Sequence, residues 1–254
     1  MNQLSTWFPE LQALIGVPQE FKHHPEGDVW NHTMLVLNKA AEVRAETTKT
    51  FPFMMSALYH DIGKPATTTH DEKGYHSYEH HTVGASMVSS IPYIQENHLI
   101  HYMKNMIGKH MEPHRNLKDT SKPTVYCKMF DTSVCPKDLI LLAQCDKLGR
   151  AGTKEHDYDT SRQRLEDYLE IYNDRMAQPC VGGKDLIEAG FVPSPLFSEA
   201  LRMAHNFQVS GTPKSSALPQ VLGFMRKEQR ILSQKEKSVQ KPKQQKLRSS
   251  EVER

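Results

Sequence analysis

The chain has 254 residues and a mass of 29.1 kDa, enough for one large core or two small ones. Hydrophobic residues make up 37% of it, and the longest uninterrupted apolar run, residues 139–143, is far shorter than the roughly 18 residues of a membrane-spanning helix. The net charge of +2 conceals a basic C-terminal end and a slightly acidic remainder, which argues against a fold built around a broad basic surface.

The N-terminal sequence and the cysteines indicate the cellular compartment. The first residues lack a positive patch followed by an apolar stretch, so a secretory signal is not expected. The four cysteines form no C-x-x-C pair and are too few to stabilise a chain of this size through disulfide bonds. They are Cys127, Cys135, Cys145 and Cys180. The sequence therefore predicts a reduced, cytoplasmic protein with no membrane partner, and it leaves the oligomeric state open.

Helical spacing of apolar residues runs from the N-terminus to about residue 232. The first long stripe lies in residues 29–46, where Val29, Thr33, Val36 and Ala40 recur every three or four positions. Further helices are predicted over residues 51–61, 77–90, 97–110, 123–131, 136–148, 158–176, 195–208 and 216–232. No convincing run of alternating β-branched residues appears, so the predicted fold class is all-α.

The C-terminal 22 residues differ in composition from the rest of the chain. Residues 233–254 consist mainly of Lys, Gln, Ser and Glu and offer few apolar side chains to repay the entropy of ordering. They are predicted to be a basic disordered tail, either a tether for nucleic acid or a solubilising end. The predicted domain organisation is residues 1–180 as the main domain and residues 181–232 as a helical extension packed on it.

The dipeptide His-Asp occurs at residues 60–61, 70–71 and 156–157, and only the first occurrence ends an apolar helix. Ala57 precedes His60 by three residues and Asp61 by four, which turns both polar side chains toward the buried face. Gly63 is expected to terminate that helix. A buried imidazole beside a buried carboxylate is costly without partners, and a divalent metal is one partner that satisfies both.

Two further helices supply candidate ligands for such a metal. His32 lies at the edge of the apolar stripe of residues 29–46, and Asp146 interrupts the apolar run LILLAQCDKLG. Taken singly, each of these residues is more often an ordinary core or surface side chain. Together with His60 and Asp61 they make a set of two imidazoles and two carboxylates, which suits Mn, Fe, Co, Ni, Zn or Mg.

The pattern H…HD…D with HDIGK at its centre resembles the HD superfamily of metal-dependent phosphohydrolases. HHPEGDVWNHT (23–33), ALYHDIGKP (57–65), YEHHTVGA (78–85) and LLAQCDKLGR (141–150) look like the HD domain of bacterial CCA-adding enzymes, and GGKDLIEAGFVPSPLFSEAL (182–201) is similar to the segment that follows it there. The Gly-Gly turn and paired carboxylates of the nucleotidyltransferase head of those enzymes are missing. The resemblance therefore implies an HD-domain helical bundle with a C-terminal helical extension, without CCA addition.

The resemblance also implies roles for individual residues. His32, His60, Asp61 and Asp146 would be the metal ligands, and His80, chosen over His81, would join His110 in holding a second metal or contacting phosphate. The catalytic residues would be Asp61, Lys64 and Arg150, where the two cations neutralise charge on a phosphoryl group. Alternatively, Lys64 and Arg150 are ordinary solvated charges on the surface. Glu26 and Asp28 either orient ligands or cap a helix.

Three functions remain open at this stage. The resemblance implies a phosphatase or 2′,3′-cyclic phosphodiesterase that acts on nucleotides or RNA 3′-ends with a divalent metal. A nucleotidase or signalling-nucleotide hydrolase is the second interpretation. The third is a non-catalytic RNA-binding module, against which the complete set of ligands argues. No G-x-S-x-G or P-loop motif points to other chemistry.

Overall fold

A computed structural model describes residues 3–115, 117, 121–153 and 156–251 of the chain. These residues form α-helices and short 3₁₀ turns, together with one two-stranded hairpin. The prediction of an all-α fold is therefore confirmed. Within the described residues, no helix combines the length and the apolar character needed to cross a lipid bilayer.

The chain divides into two compact units, Met1–Tyr172 and Asn173–Arg254. The sequence places the end of the first domain a few residues later, after residue 180. That boundary and the packing of the extension on the first domain stay predictions.

Helices make up most of the first unit. The predicted ranges 123–131 and 136–148 coincide with two of them, and the other predicted helices differ from the observed ones by a few residues at their ends. In chain order they are α1 (Gln3–Trp7), α2 (Pro9–Gln12), α3 (Val29–Val43), α4 (Thr50–Tyr59), α5 (Lys64–Thr67), α6 (His80–Met87), α7 (Asn97–Lys109), α8 (Glu112–Arg115), α9 (Pro123–Asp131), α10 (Pro136–Leu148) and α11 (His156–Met176). Short 3₁₀ turns follow α3 and α6, at Arg44–Glu46 and Val88–Ser90.

Local sequence determines where several of these helices begin. Proline occupies the first helical position of α2, α9 and α10, where its missing N–H would have no helical partner anyway. Helix α3 begins after Asp28, whose Oδ1 accepts a hydrogen bond from the backbone N–H of Asn31 at 2.9 Å.

A β-hairpin interrupts the helices in a region where no strand is predicted from the sequence. Strand β1 (Thr68–Asp71) pairs antiparallel with β2 (Gly74–Ser77), so that the predicted helix over residues 77–90 begins only at His80. The turn requires a positive φ of 106° at Gly74, which favours glycine. The carboxylate of Glu20 braces the turn by accepting a hydrogen bond from the backbone N–H of Tyr75 at 3.2 Å.

Two apolar clusters form the core of the first unit. One contains Val36, Phe53 and Leu139, from α3, α4 and α10, and the other contains Tyr59 and Met103 among its fully buried members. Helix α3 packs against both α4 and α10. The packing of these three helices also brings together the polar side chains at their buried faces.

The second unit has its own apolar core. Its helices are α12 (Gly183–Glu188), α13 (Leu196–Val209) and α14 (Lys214–Glu251), and α13 packs against α14. The buried members of its core are small or aliphatic for the most part: Val181, Leu186, Phe191, Ala200, Ala204, Ala217, Val221 and Met225.

Helix α14 differs from the prediction for the C-terminal tail. It continues through residues 233–251, which the sequence predicts to be disordered, while residues 252–254 lie outside the described part of the chain. Lys, Gln and Glu are good helix formers, and extending a helix that has already begun requires no new nucleation. A lack of apolar residues limits what this segment can bury, but it does not prevent residues of high helical propensity from extending a helix.

Candidate metal centre

Helix α3 delivers His32 to the interior of the first unit. Val29, Thr33 and Val36 lie on the same buried face, and His32 itself is fully buried. Its Nδ1 donates to Oε1 of Glu26 at 2.9 Å. The opposite ring nitrogen, Nε2, is 3.0 Å from Oδ1 of Asp146.

His60 and Asp61 follow the last turn of α4, and both are buried. The helix ends at Tyr59, before Gly63, so the expectation that Gly63 terminates it is wrong. Gly63 has an ordinary helical φ of −79°, and glycine is required there because an added Cβ would lie 2.1 Å from the carbonyl oxygen of His80. This close approach places α6, with His80 at its start, next to Asp61.

Asp146 lies near the end of α10, whose residues from Asp138 through Asp146 are all buried. Its Oδ1 is 3.0 Å from Nε2 of His32 and 4.0 Å from Nε2 of His60. Asp61 completes the group, because its Oδ2 is 3.1 Å from Nε2 of His60 and 3.9 Å from Nε2 of His32. The four residues predicted as ligands are thus brought together from three parts of the chain.

Three imidazoles of the centre share one orienting device. The Nδ1 atoms of His60, His80 and His110 each donate to the backbone carbonyl three residues earlier, at 2.9, 2.7 and 2.7 Å. A carbonyl can only accept, so Nδ1 carries the proton and the neutral ring presents the lone pair of Nε2. His32 is oriented in the same way, because its Nδ1 donates to the carboxylate of Glu26. Nε2 of all four rings therefore points to the centre, and it can bind a metal there when it carries no proton.

His80 and His110 form a second group with Asp61. Nε2 of His80 is 3.3 Å from Oδ1 of Asp61 and 3.4 Å from Nε2 of His110. Two neutral rings with protonated Nδ1 would direct their lone pairs at each other, which is unfavourable unless a cation lies between them. These three residues could hold a metal ion, as could the group of His32, His60 and Asp61.

A comparison of two buried aspartates tests whether the centre fits a cation. The carboxylate of Asp138 accepts from the N–H groups of Thr48 and Lys49 and from the hydroxyl of Tyr102. Oδ2 of Asp61 lies 2.7 Å from the ammonium of Lys64, whereas Oδ1 of Asp61 and Nε2 of His60 have no hydrogen-bond partner within the described residues. Nε2 of His60 is 3.1 Å from Oδ2 of Asp61, without hydrogen-bond alignment. Buried atoms of this kind are costly unless they coordinate something, and a divalent metal fits them.

The carboxylates of the centre are held in their ionised form. Burial alone raises the pKa of Asp61, but the electrostatic influence of the adjacent His60 ring and of the Lys64 ammonium outweighs burial and holds that pKa well below its usual range. Burial of Asp146 is likewise outweighed, by a hydrogen bond from His32 and the charge of Arg150, so its pKa is also well below the usual range. The centre therefore offers two anionic ligands at neutral pH.

The pKa values of the buried imidazoles shift in two directions. Burial lowers the pKa of His110 to about 3 and also lowers the pKa of His80, which keeps both rings neutral. Burial acts in the same direction on His32, but hydrogen bonds to Asp146 and Glu26 outweigh it and raise its pKa. Without a metal, His32 therefore takes up a proton more readily than an ordinary histidine does, because it lies between two carboxylates.

The centre opens into a cleft of about 290 Å³, lined by Asp61, His80, His110 and Asp146 and by side chains that carry donors. Lys64 is buried, its Nζ lies 2.7 Å from Oδ2 of Asp61, and it donates to Oε1 of Gln19 at 2.7 Å. The interpretation of Lys64 as a solvated surface charge is therefore wrong. No sequence pattern points to Gln19, which reaches the cleft from the segment between α2 and α3.

Arg150 also lines the cleft, just after α10. Its guanidinium is 3.8 Å from Oδ2 of Asp146, and its side chain is about one-third exposed. Within the described residues, the buried Nε of Arg150 and the buried Nε2 of Gln19 have no hydrogen-bond acceptor. Because Lys64 has only donors to offer, Gln19 must turn its oxygen toward it, which leaves the NH₂ group for another partner.

The structure separates the two interpretations of the acidic residues before α3. Asp28 caps the helix, whereas Glu26 accepts hydrogen bonds from the Nδ1 atoms of His24 and His32, at 2.8 and 2.9 Å. The other oxygen of Glu26 accepts from the backbone N–H of Ala151 at 3.1 Å. Glu26 thus fixes the ring of His32, and its pKa falls to about 2 because these hydrogen bonds outweigh the effect of burial. His24 lines the cleft and was not singled out from the sequence.

The part of the chain that forms this centre is similar to a known family. Residues 29–151 match the family described as HD domain, a range that contains His32, His60, Asp61 and Asp146. The matched range also contains the other predicted site residues, Lys64, His80, His110 and Arg150.

Curated bacterial proteins named "Multifunctional CCA protein" are similar to the chain. The one from Methylococcus capsulatus is 30% identical over 206 residues, which covers 78% of this chain and 45% of that protein. The one from Mannheimia succiniciproducens is 30% identical over 233 residues, covering 88% and 52%. The one from Thioalkalivibrio sulfidiphilus is 29% identical over 193 residues, covering 74% and 44%. The chain spans about half the length of the curated relatives it matches.

Proposed function

Because the chain carries an HD domain, the fold of a superfamily of metal-dependent hydrolases, we propose that it hydrolyses phosphate esters of nucleotides or RNA ends. The substrates proposed are phosphomonoesters and 2′,3′-cyclic phosphodiesters.

One observation carries this proposal: a buried acceptor and two buried donors without hydrogen-bond partners line the same cleft. Oδ1 of Asp61 lacks a donor, and Nε of Arg150 and Nε2 of Gln19 lack an acceptor, among the described residues. Unpartnered acceptors favour a cation, and unpartnered donors favour an anion. A divalent metal and the phosphate of a substrate together supply both.

We assign the metal to His32, His60, Asp61 and Asp146, and a second metal or phosphate contact to His80 and His110. Their convergent Nε2 atoms and ionised carboxylates support this assignment. A divalent ion bound there supplies Lewis acidity, which activates water near neutral pH and polarises a phosphoryl oxygen. The donor set of imidazole and carboxylate suits Mn, Fe, Co, Ni, Zn and Mg alike.

The cations of the cleft bind and orient the phosphate in this proposal. Lys64 is held by Asp61 and Gln19, so its ammonium is fixed beside the centre. Arg150 adds a guanidinium whose Nε has no acceptor in the described part of the chain and could donate to an oxyanion. Fixed donors of this kind stabilise the charge that develops on phosphoryl oxygens and require little reorganisation.

The substrate class draws on the resemblance to the HD domain of CCA-adding enzymes, which favours an RNA 3′-end or a nucleotide. The side chains that line the cleft include the cations Lys64 and Arg150, which suits an anionic ligand. A signalling nucleotide carries the same phosphate chemistry and belongs in the same assay.

The test combines metal analysis with a substrate panel. Purified protein is expected to contain a divalent metal, to lose turnover on chelation and to regain it with Mn, Co or Ni. The panel contains nucleoside monophosphates, nucleoside 2′,3′-cyclic phosphates, cyclic dinucleotides and RNA with a 3′-terminal phosphate. His98→Gln, at an exposed surface histidine, serves as control for His60→Gln, which is expected to lose metal and turnover.

If no member of the panel is hydrolysed with any divalent metal, the proposal is overturned. Retained binding of RNA by the same protein would then establish the non-catalytic RNA-binding module. Hydrolysis confined to mononucleotides or cyclic dinucleotides would identify a nucleotidase or a signalling-nucleotide hydrolase instead.

A further inference from the structure

The end of the β-hairpin brings aromatic side chains into the cleft. Tyr75, His76 and Tyr78 line the same cleft as Asp61 and Arg150. The proposed chemistry uses none of these three rings. They form a surface suited to a flat ligand beside a site suited to a phosphate.

Tyr78 is the most open of the three rings. It is 70% exposed, and its ring is stacked on the imidazole of His76 with centroids 5.3 Å apart and an interplanar angle of 16°. His76 is fixed in turn, because its Nε2 lies 3.0 Å from Oδ1 of Asp71. The stack covers one face of Tyr78 and leaves the other face accessible to a ligand. A fixed aromatic ring of this kind loses little entropy when it stacks with a ligand.

The backbone beside Tyr78 links this ring to the metal centre. Glu79 has a φ of 59°, and among the described residues it is the one non-glycine position with positive φ. This left-handed conformation costs on the order of 1 kcal/mol or more for a residue with a Cβ. It joins Tyr78 at the cleft to His80, whose Nε2 lies 3.3 Å from Asp61. One residue, Glu79, separates Tyr78 from His80, so their Cα atoms lie within about 7 Å of each other.

We infer that Tyr78, backed by His76, is a stacking platform for the base of the substrate, and that the enzyme prefers phosphate esters carrying a nucleobase. This inference rests on the proposed function and specifies the substrate of that same site. In a nucleotide or an RNA 3′-end, one ribose joins the base to the phosphate. Such a ligand can place its phosphate at the metal centre and its base on Tyr78. Stacking tolerates any base, because every base has a π-face.

The closing experiment measures binding of analogues that resist hydrolysis. The probes are the 5′-methylenephosphonate of adenosine and the corresponding phosphonate of ribose, which lacks the base. Wild-type, metal-loaded protein is expected to bind the adenosine compound more tightly, and Tyr78→Ala is expected to reduce this preference by about 5-fold to 150-fold. Tyr78→Phe keeps the ring and is expected to retain the preference. Phe51→Ala, which removes an aromatic ring that is 64% exposed and does not line the cleft, is the matched control.

Two results would overturn the inference. One is equal affinity of the wild-type protein for both probes, and the other is an unchanged preference in Tyr78→Ala. Tyr78→Leu keeps the apolar bulk without the ring and replaces Tyr78→Ala if that variant fails to fold. Because binding is measured without turnover, a protein that hydrolyses no phosphoester overturns the proposed function while the affinity ratio still decides about the platform.

Discussion

A buried amide of the second unit and a buried carboxylate of the first unit are partnered to different degrees. In the second unit, the amide of Gln208 donates to the carbonyls of Arg175 and Gln178 and accepts from the N–H of Cys180. In the first unit, Oδ2 of the buried Asp61 pairs with the ammonium of Lys64, whereas its Oδ1 has no hydrogen-bond donor among the described residues. The first arrangement stabilises a fold, whereas the open oxygen in the second is a cost that a bound cation would offset.

This difference predicts how each unit responds to mutation. Substitutions at the polar centre of the first unit should act on metal binding and turnover. Substitutions in the apolar core of the second unit should act on the free energy of unfolding. Variants of each unit can therefore confirm or contradict this separation of effects.

The largest effect is expected for Asp61→Ala. Removing a partner that only orients a metal ligand typically costs 10- to 100-fold, so loss of a shared ligand should lower turnover by more than about 100-fold and remove the metal. Elemental analysis and a phosphoesterase assay measure the two effects. Asp167→Ala, at an exposed carboxylate on α11, is the control. Full metal occupancy in Asp61→Ala would contradict the assignment.

Leu186→Ala should act on stability instead. Leu186 is fully buried in the core of the second unit, and truncating a buried leucine costs about 2 to 5 kcal/mol. Ile187→Ala, at a neighbour that is 54% exposed, should change the free energy of unfolding by less than about 0.5 kcal/mol. Urea denaturation measures both variants, and turnover is assayed where both are folded. Loss of turnover in folded Leu186→Ala would break the separation between the units.

Glu26→Gln tests whether a residue of the first unit that does not bind the metal itself still affects metal affinity. Glu26 touches the ring of His32 and the backbone of Ala151, and we expect it to act through His32 as a positioning residue. The variant should weaken metal affinity about 10- to 100-fold, with turnover recovering at high metal concentration. Glu42→Gln, in an exposed ion pair with Lys39, is the control. Unchanged metal affinity together with a lower melting temperature would reduce Glu26 to a structural role.

The smallest effect concerns pH. Burial lowers the pKa of His114 in the first unit to about 4, against about 6.5 in the unfolded chain. The unfolded state therefore binds a proton first, so stability is present above pH 6.5 and is lost as pH falls toward 4. His114 should account for about 2 kcal/mol of the loss between pH 7.5 and pH 5.

Urea denaturation of chelated protein at both pH values tests this prediction. The loss should shrink in His114→Gln and persist in the control His205→Gln, at an exposed histidine of the second unit. An identical loss in wild type and His114→Gln would show that other groups carry the acid sensitivity.

The sequence by itself determined the helical class and the four central polar residues. Helical periodicity depends on local spacing, so α3 and α10 could be read directly from their apolar stripes. His60 and Asp61 stood out because two polar residues followed an apolar helix on its buried side. His32 and Asp146 were identified in the same way, as polar residues at or beside the apolar faces of predicted helices, with the support of the family resemblance.

Tertiary structure alone decided what these residues contact. Gln19 is 45 residues from Lys64 in the chain, and no local pattern reveals that its oxygen faces that ammonium. The same is true of Glu26, which touches Ala151 from 125 positions away. The hairpin was not predicted because its four-residue strands are too short to show the alternation of apolar and polar residues that is typical of a strand. Its turn is also braced by Glu20, which lies outside the hairpin. Periodicity reports which side of an element is buried, whereas the partners of a side chain follow from how distant elements pack.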